Sequence, residues 1–122
     1  MTELTALLGI HESAVLKLYT DVLTSSQFSV TQVSDPEEMI RLAEQNKHCA
    51  YIMDLNFGKP GSSDITPAVH VYDKVRGRVE AGKARFVGVS GNRDVVEAAK
   101  LHGIPSYYKL DFSIVRFARQ AP

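Results

Sequence analysis

Asp54 closes the apolar run Cys49-Ala50-Tyr51-Ile52-Met53 and is followed by the polar, glycine-containing stretch Leu55-Asn56-Phe57-Gly58-Lys59-Pro60-Gly61. A carboxylate at the C-terminal end of a buried strand, with a loop just beyond it, stands where open α/β sheets do their chemistry. Two more segments share the pattern: Phe86-Val87-Gly88-Val89 ends in Ser90, and Ser106-Tyr107-Tyr108 ends in Lys109. If these strands belong to one sheet, an acid, a hydroxyl and an amine meet at one of its edges. That combination points to phosphoryl chemistry.

The rest of the chain must supply that sheet. Leu4 to Ile10 is a short apolar run, and from Ser13 the positions Val15, Tyr19, Val22 and Leu23 recur at helical spacing. Phe28 to Val33 alternates with period two and reads as a strand. Asp35-Pro36-Glu37-Glu38 is a helix start, with a capping acid, proline in the first turn and acids at the positive helix end. Met39, Leu42 and Ala43 give that helix its buried stripe. A longer helix begins at Thr66-Pro67, carries Ile65, Val69, Tyr72, Val75 and Val79 as its apolar face, and is closed by Gly82. Asn92 caps a fourth helix through Val95, Val96 and Ala99 that Gly103 ends. Ile114, Val115 and Phe117 begin a short fifth one. Strands alternating with helices in this way predict an α/β fold: a doubly wound (βα)5 parallel sheet of five strands, order 2-1-3-4-5, covered on both faces.

The bulk numbers agree and exclude much. A length of 122 residues suits a single domain over 1–122. Acids and bases balance at 14 each, so no long-range field draws the chain to nucleic acid or anionic lipid. No apolar run approaches the roughly 20 residues that cross a bilayer, and no basic-then-apolar leader opens the chain. The single cysteine, Cys49, fits a reducing cytoplasm and reads as an inert buried thiol. Of the basic residues, only Lys74, Arg76, Arg78, Lys83 and Arg85 cluster, and they read as the solvated face of the third helix. Phe57 to Ser63 lacks the order of a phosphate-binding loop, and Pro60 removes a backbone donor, which excludes a nucleotide hydrolase. His11, His48, His70 and His102 have no metal-ligand spacing and read mostly as surface or helix-end residues.

At Ile52-Met53-Asp54-Leu55-Asn56, Val89-Ser90-Gly91 and Tyr108-Lys109 the chain resembles a response-regulator receiver domain, that of the chemotaxis regulator, over nearly its whole length. The resemblance implies a flavodoxin-like receiver fold in which Asp54 accepts a phosphoryl group, Ser90 is the switch hydroxyl, Lys109 pairs with the phosphoryl oxygens, and Asn56 offers its carbonyl to magnesium. It also implies a two-component signalling role with a histidine kinase or another signalling protein as partner. Output would run through the face of the fourth helix, fifth strand and fifth helix, a surface that also offers homodimerisation through Phe112 and Phe117. Such a module is not an enzyme beyond self-phosphorylation from phosphohistidine and slow autodephosphorylation. In that chemistry the carboxylate attacks phosphorus in line, and a cation neutralises the transferring charge.

The chain also departs from the receiver pattern. The two adjacent acids expected after the first strand fall on Ile10 and His11, leaving Glu12, Asp54 and Asn56 as a weak magnesium set at best. Leu110 follows Lys109 where receivers carry a cis proline, which predicts a differently aimed lysine, alternatively paired with Asp111. Ser106 occupies the place of the switch aromatic, and alternation turns Tyr107 to the other face. A protonated His11 could set a charge beside Asp54 in place of the metal. The expected function is therefore an atypical, pseudo-receiver module regulating a partner by protein–protein contact. A phosphorylation-competent regulator using Asp54 is the alternative. A flavodoxin-like ligand domain is a third, although the D-x-H-x-x-G signature of cobalamin sites and a Ser/Thr-rich flavin loop are both missing. The short fifth helix fits either a stand-alone receiver or one domain of a longer protein.

Overall fold

The computed structural model describes residues 3–120. Among these, strands and helices alternate strictly: β1 (Thr5–Gly9), α1 (Ser13–Ser25), β2 (Ser29–Gln32), α2 (Pro36–Glu44), β3 (Ala50–Asp54), α3 (Thr66–Glu80), β4 (Arg85–Ser90), α4 (Arg93–Leu101), β5 (Ser106–Tyr108) and α5 (Ile114–Arg119). The strands form one parallel sheet of order β2-β1-β3-β4-β5. Order and element sequence are those predicted. Parallel pairing forces every strand to return through a helix, so both faces are covered and the central strand β3 is buried at every residue.

Alternation along the strands divides the interior in two. Leu7, Tyr51, Met53 and Phe86 face α2, α3 and α4, whereas Ala6, Leu8, Ile52, Val87 and Val89 face α1 and α5. Helices α2 and α4 start where side-chain caps satisfy free amides: Asp35 accepts from Glu38 N at 2.8 Å, and Asn92 from Asp94 N at 2.9 Å. Helix α3 buries Tyr72 and Val75 of the predicted stripe but not its other members. Pro67, Ala68, Val71, Tyr72 and Val75 are inside, and Ile65, Val69 and Val79 pack along the rim.

Two expectations about surface residues need correction. Phe117 is buried beneath the Arg85 guanidinium, 3.6 Å from its ring centroid, and offers no dimer contact, whereas Phe112 packs edge-on against Tyr19 and Phe117 and stays half-buried. The basic cluster is not simply solvated either. Arg78 donates to the carbonyl of His48 at 2.8 Å, and Arg85 donates to the carbonyl of Phe117. Both arginines hold elements together, which their long stems and planar donors suit.

Candidate functional site

The C-terminal ends of four parallel strands deliver the site. Register sets Asp54 beside Val89 and Ser90 beside Tyr108, one residue short of Lys109. The segment after β1 brings in His11 and Glu12. A cavity of about 300 Å³ at this edge is lined by Asp54, Ser90, Lys109, His11, Glu12 and Asn56. The residues predicted from strand ends are thus brought together.

Asp54 is 1% exposed, and both of its oxygens are engaged. Oδ2 accepts a 2.7 Å hydrogen bond from the backbone N–H of His11. Oδ1 lies 3.1 Å from Lys109 Nζ, and the same ammonium donates to Glu12 Oε1 at 2.9 Å. Burial alone would push the Lys109 ammonium down. The hydrogen bond to Glu12 and the charge of Asp54 outweigh it and leave the pKa raised. Lys109 in turn holds the exposed Glu12 carboxyl below its ordinary value, by hydrogen bond and by charge. The expectation that Leu110 re-aims the lysine is not met, and Asp111 is not its partner. Lys109 N is fixed by Ser90 O at 2.9 Å, and two carboxylates draw the side chain inward.

His11 is the residue whose role the sequence concealed. Its Nε2 accepts from Gly58 N at 2.8 Å, which leaves the ring proton on Nδ1, 3.4 Å from Asp54 Oδ2. The ring packs on Phe57 at 5.4 Å between centroids. Gly58 has φ +87°, and a Cβ there would meet Pro36 Cγ at 2.3 Å, so only glycine brings this amide to the imidazole. The β1–α1 segment and the β3–α3 loop are therefore tied through a neutral histidine. The Phe-Gly pair after Asp54 was the available signal, but nothing in its spacing names the partner.

The remaining candidates are placed as follows. Ser90 is buried, and its Oγ accepts from Asn92 N at 3.1 Å as α4 begins. The Asn56 carbonyl, assigned to magnesium by the resemblance, accepts from Lys59 N at 2.8 Å, and its side-chain amide donates to Ser62 O at 2.8 Å. Ser106 is buried and donates to Ile104 O, whereas Tyr107 turns to the α1/α5 side and packs on Phe112, as alternation predicts. His48 departs from a surface reading, since its Nδ1 is buried without a partner and its ring packs on Tyr51.

The donor set does not fit a hard divalent cation. Ile10 is 4% exposed and packs into the α1/α5-side core, His11 commits its lone pair to Gly58, and Glu12 is held by Lys109. Among the described residues no group of three or more His, Cys, Asp or Glu is arranged to hold a metal.

No protein-family model matches the chain, and no curated protein matches it by sequence. Solved structures do match in shape. The receiver domain of a sensor histidine kinase from Pseudomonas aeruginosa PAO1, with magnesium coordinated in its active-site cleft, is 18% identical with a TM-score of 0.65, over 95% of this chain and 92% of that one. A Burkholderia pseudomallei response regulator with a phosphorylated aspartic acid, calcium ion and citrate is 18% identical with a TM-score of 0.68, over 97% of this chain and 67% of that one. The receiver domain of a Saccharomyces cerevisiae response regulator, solved with a histidine phosphotransfer protein, is 14% identical with a TM-score of 0.66, over 96% and 85%. At such identities the likeness shows a fold, and that fold is the flavodoxin-like receiver fold.

Proposed function

We propose that residues 1–122 form one receiver-type module of two-component signalling that regulates a partner by protein–protein contact without phosphorylation of Asp54. The observation that carries this reading is the state of Asp54, engaged on both oxygens by His11 N and Lys109 Nζ while Ile10 and His11 stand where acids would gather a cation. Phosphoryl transfer would have to displace one of these partners and proceed without a cation to neutralise the transferring charge. The module has no turnover of its own.

The partner is a histidine kinase, a phosphotransfer protein or another signalling protein. Leu101, Tyr107, Leu110 and Val115 leave exposed apolar area along α4, β5 and α5, a face suited to such a partner or to a second copy of the chain. No nucleic-acid or membrane contact is proposed: the net charge is zero, and no helix of the described residues is long and apolar enough to cross a bilayer. We place the module in the cytoplasm, where the buried Cys49 stays reduced.

One observation favours the second reading, a phosphoacceptor that would take magnesium weakly: Asp54, Ser90 and Lys109 line one cavity. The cavity of about 300 Å³ is at the small end for a flavin-sized ligand, so the third reading is set aside. Incubation with acetyl phosphate and magnesium, followed by intact mass, separates the first two. The expected result is no phosphoryl adduct and an NMR spectrum unmoved by beryllofluoride. A stoichiometric adduct that disappears in Asp54→Asn would establish the phosphoacceptor reading instead.

A further inference from the structure

We propose that Lys109 is the resident cation of this pocket, held between Asp54 and Glu12, and that it closes the site to divalent ions more effectively than the apolar Ile10 does. The proposal rests on the receiver-type reading of the pocket and says how that pocket is kept in one state.

The geometry is that of a bridged cation. The ammonium contacts Asp54 Oδ1 at 3.1 Å and Glu12 Oε1 at 2.9 Å, the latter 97 residues away along the chain. It is 21% exposed on its side chain, so part of its water shell has been exchanged for carboxylate oxygens. The charges facing it are Glu12 from the β1–α1 segment and Asp54 from β3, and His11 adds a neutral imidazole and a backbone donor. Two carboxylates and one ammonium sum to one negative charge. A divalent ion entering beside Lys109 would meet like charge at short range, whereas one entering in its place would find both carboxylates. Glu12 is the positioning residue, because without it the lysine has Asp54 alone to hold it. Ile10 withholds a ligand, but it does not itself repel an ion.

These two sources of exclusion predict different outcomes when Lys109 is removed. In the full chain, Mn2+ binding is followed by electron paramagnetic resonance of the free ion, with Mg2+ as competitor. Wild type is expected to bind neither ion up to about 10 mM, tenfold above the weakest protein calcium sites. Lys109→Ala is expected to bind Mn2+ at least about tenfold more tightly than wild type, the effect of one close unit charge. Adding Glu12→Gln to Lys109→Ala is expected to remove the gain. The proposal is overturned if Lys109→Ala gains nothing, or if wild type binds as tightly as the variant.

Should Lys109→Ala fail to fold, wild type decides. The Lys109 Nζ resonance should be unmoved by Mg2+ and shift in Glu12→Gln, whose side chain is exposed. Displacement of that signal by Mg2+ overturns the proposal. Phosphorylation of Asp54 is read by mass and cation binding by resonance, so failure of the functional reading and failure of this inference are separate results.

Discussion

His11 Nε2 accepts the amide of Gly58 while His11 N donates to Asp54, so one residue fixes both the buried carboxylate and the loop that follows it. His11→Phe keeps the ring stacked on Phe57 and deletes the acceptor. A lost hydrogen bond of about 1 kcal/mol should raise Gly58 amide exchange roughly five- to tenfold. Unchanged exchange would show that the loop holds itself.

Removing Asp54 should destabilise the fold. In a pocket of crowded acids, deleting one relieves repulsion. Here Asp54 is paired with Lys109 and accepts from His11 N, and deletion strands both donors. Lys109 keeps Glu12, which reduces the loss to about 2 kcal/mol. Urea unfolding of Asp54→Ala checks the sign, and an increase in stability would contradict the paired state.

Stability should fall on the acid side through His48. Burial pushes its imidazole below the ordinary 6.5, with the charges of Arg78 and Lys47 adding to the effect. A depressed folded pKa means that the unfolded chain takes the proton first. The contribution is full above about pH 6.5 and is lost as pH falls toward the folded value. The pocket leaves Nδ1 without a partner, and Arg78 holds the neighbouring carbonyl and Tyr51 Oη. His48→Phe should keep the packing on Tyr51 and flatten the stability–pH curve below that point. An unchanged curve assigns the acid loss elsewhere.

Gly88 is a steric requirement of the site. A Cβ there would lie 2.3 Å from Cδ2 of Leu55, which is fully buried and adjoins Asp54. Gly88→Ala should cost about 2 kcal/mol through overpacking. A lower urea midpoint at constant m-value is the expected signature.

Much of the architecture was legible because local rules and global packing agree. The apolar run into Asp54 could only be a central parallel strand, since both faces of β3 are buried. Asp35-Pro36 and Asn92 named their helix starts by cap chemistry. Strand ends then implied that Asp54, Ser90 and Lys109 share one edge, and the apolar Ile10 stands beside it. The stripe of α3 was read correctly at Tyr72 and Val75, whereas Ile65, Val69 and Val79 lie at the rim and Pro67, Ala68 and Val71 fill the interior, because a periodicity of large residues passes over a small Ala68 and a first-turn Pro67. Phe117 was read as exposed because the Arg85 clasp over it, made from 32 residues away, leaves no trace in the local sequence.

Residue types and their order determined the fold, the edge where Asp54, Ser90 and Lys109 meet and the presence of Ile10 and His11 beside it, since these depend on local propensity, pleat and strand polarity. The tertiary structure alone decided where the surviving charges go. It turned Lys109 onto Asp54 and Glu12 despite Leu110, and gave the lone pair of His11 to Gly58. The physical reason is range: ion pairs and hydrogen bonds form among groups that are distant along the chain and 3 Å apart in space, and no period in a sequence records that distance.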